Sequence, residues 1–275
     1  RRADGLARVI GNDVSQTLVA LGAGLVTIVA FMALGLLLAH RTQKLTVVDT
    51  MWSLGFVLVA VVTALVSLGG GGSGAMPWIL LAMTAVWGLR LATYLHLRNR
   101  GKAEDPRYQQ MAEADGRSFT QVALLRVFLP QGIAMYLVST PLMVGAQNSR
   151  VVVPLLVLGV IVWAVGVFFE AVGDAQLARF KSDPANRGKI MDQGLWRYTR
   201  HPNYFGDACV WAGIWLVTAG SLPGLITVIS PVAMTIFLTK VTGASLNEKG
   251  MKQTKPGYDD YVRRTSGFVP LPPRG

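Results

Sequence analysis

The chain has 275 residues, 52% of them hydrophobic and only 15% charged, with a mean hydropathy of +0.43. A domain solvated mainly by water carries about a quarter charged residues, so the composition excludes that class. The net charge of +11 is not read as a nucleic-acid footprint, because apolar runs of about 18 to 25 residues, each able to cross a ~30 Å hydrocarbon core as helix, divide the basic residues into short clusters.

In chain order, spans are predicted over 17–39, 47–68, 76–97, 121–145, 151–172, 203–219 and 222–240. The fold class is therefore all-α, a polytopic membrane helix bundle of about seven helices, expected as one domain over residues 1–275. Residues 1–16 are an N-terminal extension and 241–275 a cytoplasmic tail. The first apolar run is too long for the core of a cleaved signal peptide and is kept as a span. The chain starts at Arg1 without methionine, so the natural N-terminus is expected to lie upstream. The Gly-rich stretch 69–74 reads as a flexible turn, and the last two spans follow each other closely enough for a tight helical hairpin.

The loops at 40–46, 98–120 and 173–202, together with the tail from Lys240, hold 20 of the 26 Lys and Arg residues. The opposite side holds Arg1, Arg2, Arg8 and Arg150. By the positive-inside rule this puts the N-terminus outside and the C-terminus in the cytoplasm, as expected of a multi-pass cell-membrane protein whose active-site mouth is cytoplasmic. The lone Cys209 excludes a disulfide within the chain. His40, His96 and His201 show no metal-ligand spacing, so no metal site is expected.

Ionisable groups within lipid are costly and turn toward the bundle interior. Asp49, Arg90, Arg126, Glu170, Asp174 and Asp207 all lie in or at the ends of spans. Asp49 and Trp52 share a helical face, and Trp87, Arg90 and Tyr94 form a second stripe. If the stripes face each other, they make either an Asp49–Arg90 ion pair that joins helices or a polar pocket where Asp49, Arg90 and Tyr94 polarise a substrate carbonyl between Trp52 and Trp87. Glu170 and Asp174 repel at i, i+4 and need an offset, from Lys181, from Lys189 or from a ligand's hydroxyl and amide groups.

The richest stretch is GLWRYTRHPNYFGDACVWAG, residues 194–213. Pro202 suits the first turn of a helix, whose free amides, preceded by Arg197, Arg200 and His201, make an anion site. Asn203 and Asp207 follow on one face, suited to amide or ribose hydroxyls. The competing reading, arginines reaching toward lipid headgroups, leaves the inward Asn and Asp without a role. The loop RNRGKAEDPR (98–107) and the tail residues Glu248, Lys249, Tyr258 and Tyr261 are placed to close over a bound cofactor. No GxGxxG after a strand and no Walker loop is present.

The segments VVDTMWSLGF, WGLRLATYLHLRNRGKAEDPRY, the stretch from Glu170 to Gly213 and the tail KPGYDDYVRRTSGFVP together resemble the steroid 5-alpha-reductase superfamily, especially its bacterial members. The RHPNYFG core alone is also similar to sterol C14 and C7 reductases and to membrane methyltransferases of isoprenylcysteine and phospholipid. The resemblance implies a seven-span bundle with NADPH near its cytoplasmic side and a hydrophobic enone within the membrane. It implies cofactor contacts at Asn99, Arg100, Asp174, Lys181, Lys189, Asn203 and Asp207, with Glu248 in the closure; Arg197, Arg200, His201 and Tyr204 complete the expected cofactor set. The chain departs from the animal enzymes, which carry a Gln-Glu pair in span two and a Tyr in span three, by offering Asp49 and a displaced Tyr94.

Three functions follow as expectations. The first is an NADPH-dependent reductase of a C=C bond in a hydrophobic lipid or steroid-like substrate taken from the bilayer. The second is an S-adenosylmethionine-dependent methyltransferase of the isoprenylcysteine or phospholipid type. The third is a non-enzymatic lipid-binding or transporter-like protein. Membrane lipids, and no nucleic acid, are the expected partners.

Overall fold

A computed structural model describes residues 2–70, 74–105, 108, 111, 116–147, 151–241 and 244–274, with side chains described from residue 14 onward except at 241, 244–247 and 249. All seven predicted spans are helical. Among the described residues six helices are long and apolar enough to cross a membrane: α1 (Arg2–Thr42, apolar from Val14), α2 (Val47–Gly69), α3 (Met76–Asn99), α4 (Phe119–Gly145), α5 (Val153–Ser182) and α7 (Leu222–Lys240). The predicted span 203–219 is α6, Pro202–Thr218. Its 17 residues make a helix about 26 Å long, a little short of the ~30 Å hydrocarbon core, and one face of it is deeply buried among its neighbours.

Local chemistry explains the irregularities. Ser118 caps α4 in a reciprocal capping box with Gln121. The helix then widens into a π turn at Ala123–Phe128, immediately before Pro130, whose missing N–H leaves the carbonyl four residues back without its usual donor. In α7 the ladder breaks around Thr227, four residues before Pro231, and Ser230 N–H donates to the Thr227 carbonyl at 2.9 Å instead.

Exposed Leu, Val and Ile residues run along α1, α5 and α7, including Val26, Val29, Val157, Ile161, Val232 and Ile236, as expected for faces solvated by lipid. The interior is aromatic and thioether-rich. Phe56, Trp87 and Trp211 are fully buried and mutually packed, with ring centroids 4.6 to 5.8 Å apart, and Met135, Met143 and Met234 fill the space around them.

A row of glycines brings α5 and α6 into backbone contact. Gly159, Gly166 and Gly173 recur every seven residues on α5, and Gly206 and Gly213 do so on α6. A Cβ at Gly206 would lie 2.5 Å from both the Glu170 N and the Gly166 O, and one at Gly213 would lie 2.5 Å from the Gly159 O. Small residues at a membrane helix interface permit this approach, which sets Glu170 and Asp174 directly beside Asn203 and Asp207.

After α7 come two short helices, α8 (Ala244–Thr254) and α9 (Tyr258–Arg264). The segment that follows α9 pairs with the approach to α6. Arg200 N–H donates to Ser266 O at 2.9 Å, Leu271 N–H to Tyr198 O at 3.0 Å, and the Thr199 hydroxyl to Phe268 O at 2.8 Å. The Tyr261 hydroxyl donates to Trp196 O at 2.5 Å. Among the described residues the Thr199–Ser266 bridge is isolated, and no strand is present.

Candidate active site

The C-terminal halves of α3 and α5 and the first turns of α6 converge on one guanidinium. Arg90 of α3 reaches Glu170 Oε1 at 2.6 Å and Asp174 Oδ2 at 2.9 Å. One turn before it, the buried Trp87 indole donates to Glu170 Oε2 at 2.7 Å. One turn after it, the Tyr94 hydroxyl donates to the Asp174 backbone carbonyl at 3.4 Å. From α6, the Asn203 amide donates to Asp174 Oδ1 at 3.2 Å. Asp207 completes the group; it is 6% exposed, and its Oδ1 has no hydrogen-bond partner among the described residues.

Three buried carboxylates, Glu170, Asp174 and Asp207, thus gather around one arginine. Buried charges are normally paired and hydrogen-bonded. Among the described residues this cluster leaves an acceptor, Asp207 Oδ1, and donors, Arg90 Nε and Trp211 Nε1, without hydrogen-bond partners, so it can receive a group that both donates and accepts.

The expected meeting of the Asp49 and Arg90 stripes does not occur. Arg90 turns to α5 because the glycine seam packs α5 against α6 within its reach. Asp49 instead accepts from the Tyr108 hydroxyl at 3.0 Å and the Asn99 amide at 3.2 Å, with Arg98 Nη2 at 3.6 Å. The Arg98 guanidinium also lies 5.9 Å from the Tyr94 ring centroid. Asn99 therefore belongs to the Asp49 group, and Arg100 is exposed at the end of α3. Trp52 stacks edge-on against Phe56 at 5.0 Å, joining the aromatic cluster that walls the carboxylates on their apolar side.

Arg200 and His201, expected to form an anion site with Arg197, are tied to the tail. Glu248 of the tail accepts from Arg200 Nε at 2.8 Å and lies 3.0 Å from His201 Nε2. Arg200 Nη1 also donates to the Thr265 carbonyl at 2.6 Å, and Tyr204 stacks on the His201 ring at 5.3 Å. This part of the cluster is a clamp that docks the tail. Burial works against the charge of Glu248, but the hydrogen bonds from His201 and Arg200 prevail and lower its carboxyl to about 2. Burial and the Glu248 charge raise the Tyr258 hydroxyl to about 12.

Between the end of α5, the following loop and the docked tail lies a cavity of about 350 Å³. Its cations include Lys181, Arg187, Lys189, Arg200 and Lys255, and its aromatic floor is Phe180, Trp196, Tyr258 and Tyr261. Lys181 and Lys189, two of the expected cofactor contacts, are therefore at one cavity, whereas Arg197 opens into a different cleft. Sequence reasoning missed Arg187, Lys255 and the Trp211 wall. The helical register carried a signal for the first cavity, because Glu170, Asp174, Leu177 and Lys181 share one face of α5 at i, i+4, i+7 and i+11. Among the described residues no cluster fit to hold a metal ion is present.

The fold and its one-ended polar cluster define a multi-pass helical membrane protein with a buried carboxylate–arginine centre. The chain belongs to the family described as "Protein of unknown function (DUF1295)", which it matches over residues 35–265. It is also 36% identical over 72 residues to the "Probable O-methyltransferase ustE" of Ustilaginoidea virens. That match spans 26% of this chain and only 25% of the relative's length. No solved structure matches.

Proposed function

We propose that the protein is an integral membrane oxidoreductase that reduces a C=C bond of a hydrophobic lipid, of 3-oxo-steroid, isoprenoid or acyl-lipid type, with NADPH. The observation that carries this reading is the orphaned, buried Asp207 Oδ1 in a cluster where carboxylates outnumber the cation. A carboxamide and ribose hydroxyls both donate and accept, and suit a cluster that leaves Asp207 Oδ1 and Arg90 Nε without partners. Along the same face of α5, about 10 Å beyond Asp174 and about 16 Å beyond Glu170 by helical rise, Lys181 lines the cationic cavity. That separation is on the scale of an extended dinucleotide, with the phosphates toward Lys181 and Lys189. The resemblance to the steroid 5-alpha-reductase superfamily supports the same assignment, with the cluster facing the cytoplasm.

When bound, NADPH supplies the hydride. Asp174, Asn203 and Asp207 orient the donor end by hydrogen bonding, and the packed rings of Trp52, Phe56, Trp87 and Trp211 exclude water, which strengthens every polar interaction inside. The reduction also consumes one proton. Tyr94, one turn from Arg90, is the acid we assign to deliver it, with Arg90 holding the neighbouring carboxylates in place.

Melting of the purified protein tests the reading, since a ligand that binds only the folded state raises the melting temperature. NADPH is expected to stabilise the wild type, and Asn203→Ala and Asp207→Ala are expected to lose that rise while keeping wild-type helicity. An undiminished NADPH response in both variants would remove them from the site. A second reading, methyl transfer from S-adenosylmethionine, is favoured by the partial match to a named O-methyltransferase and by the affinity of excess carboxylate for a sulfonium cation. Stabilisation by S-adenosylmethionine with no response to NADPH would replace the first reading with the second.

A further inference from the structure

Beside the docked tail is a second cleft, about 510 Å³, lined by Asp192, Gln193, Gly194, Arg197, Arg264 and Arg274, with Thr265 and Pro273. It shares no lining residue with the cavity beside Lys181. Arg264 pairs with Asp192, the one carboxylate in the lining among the described residues. The guanidinium groups of Arg197 and Arg274 have no ion-pair partner among the described residues, which leaves the cleft with a surplus of two positive charges.

Its walls are held in place. Arg274 N–H donates to the Arg264 carbonyl at 2.9 Å, and the hydrogen bonds joining 198–200 to 266–271 fix the Arg197 wall against the Arg264 and Arg274 wall. All three arginines are exposed and open into one cleft whose walls are already joined, so an anion can reach them without rearrangement of the chain. Their planar forks match the oxygens of a phosphate.

The cleft lies five residues before the start of α6, where the chain enters the bundle. Around it Tyr198, Val269 and Leu271 are exposed at 43%, 53% and 50%. Apolar and amphipathic side chains beside a basic cluster are the pattern of a surface that meets lipid headgroups.

We propose that Arg197, Arg264 and Arg274 form a binding site for a phosphate-ester oxyanion at the membrane surface, separate from the proposed cofactor site. The exposed apolar fringe favours an anionic phospholipid headgroup over soluble phosphate as its source.

The test uses the full chain in nanodiscs of phosphatidylcholine alone, in discs containing phosphatidylglycerol, and in phosphatidylcholine discs with added inorganic phosphate. Each is compared with an Arg197→Gln/Arg274→Gln variant, which retains the Arg264–Asp192 pair. Native mass spectrometry counts retained phosphatidylglycerol, and melting reports stabilisation. The wild type is expected to retain phosphatidylglycerol and to melt higher with it, and the double variant to bind it at least about tenfold more weakly, as loss of charge-assisted hydrogen bonds implies. An equivalent response to inorganic phosphate, lost in the same variant, keeps the oxyanion site and assigns a soluble source. Equal responses of the two proteins to both additives overturn the proposal. So does a double variant that loses only its response to NADPH, which would transfer Arg197 to the nucleotide; failure of NADPH to bind the wild type leaves the phosphate arms readable.

Discussion

Replacing Gly206 by alanine tests the seam on which the site depends. The added Cβ would sit 2.5 Å from the Glu170 N and the Gly166 O, about 0.9 Å inside the 3.4 Å at which ordinary contact begins. Both neighbours are backbone atoms, so no side chain can swing aside and the two helices must separate. Overpacking of this kind costs roughly 1–3 kcal/mol, at the upper end here because the obstruction is rigid. Alanine's better helix propensity returns up to about 1 kcal/mol. The net loss is about 2 kcal/mol, or a melting temperature roughly 4–8 °C lower for a chain of this size. Gly22→Ala is the control, because its Cβ would meet nothing within 4 Å and only the propensity gain of up to about 1 kcal/mol applies. Thermal unfolding in one detergent measures both. A Gly206→Ala protein that melts at or above the wild type, alongside Gly22→Ala, would refute the close approach and the placement of Asp207 beside Glu170.

Arg90→Gln strands Glu170 and Asp174 in the interior, and breaking a buried pair in this way is expected to cost about 3–5 kcal/mol in denaturant titration. Arg90→Lys should recover only part of this, because one ammonium does not reproduce a guanidinium fork. Glu104 accepts from the Thr46 N–H at 3.1 Å and also from the Leu45 N–H and the Thr46 hydroxyl at the start of α2. Glu104→Ala therefore loses a helix cap, worth about 0.5–2 kcal/mol in the same titration. For the tail clamp, Glu248 has a folded value of about 2 against an ordinary 4.5. Its contribution is complete above pH 4.5 and fades as the pH falls toward 2. Hydrogen exchange in α9 should accelerate across that window in the wild type, while Glu248→Gln exchanges faster than the wild type already at pH 7 and shows less acceleration there.

The helices were legible because span length is set by the hydrocarbon core, and uninterrupted apolar runs mark it directly. Half of the site was legible as well. Pro202 marked the start of α6, and helical spacing put Asn203 with Asp207 and Glu170 with Asp174. The pairing across helices was not legible from charges alone: Asp49 and Arg90 sit on neighbouring helices, yet Arg90 serves α5. The deciding signal was the seven-residue recurrence of glycine on α5 and α6, which carries no charge and no chemistry of its own. The tie of Arg200 and His201 to the tail was hidden for a related reason. Their partner, Glu248, lies 47 and 48 residues away, beyond anything local spacing reports.

The docked tail supplies Met251, Lys255, Tyr258 and Tyr261 to the wall of the 350 Å³ cavity, so the chamber is whole only while α8 and α9 are seated. Occupancy and seating are then linked equilibria, each favouring the other by the same coupling free energy. Any molecule that fills the chamber fastens the door behind itself, and a substitution that loosens the door raises the dissociation constant without touching the occupant.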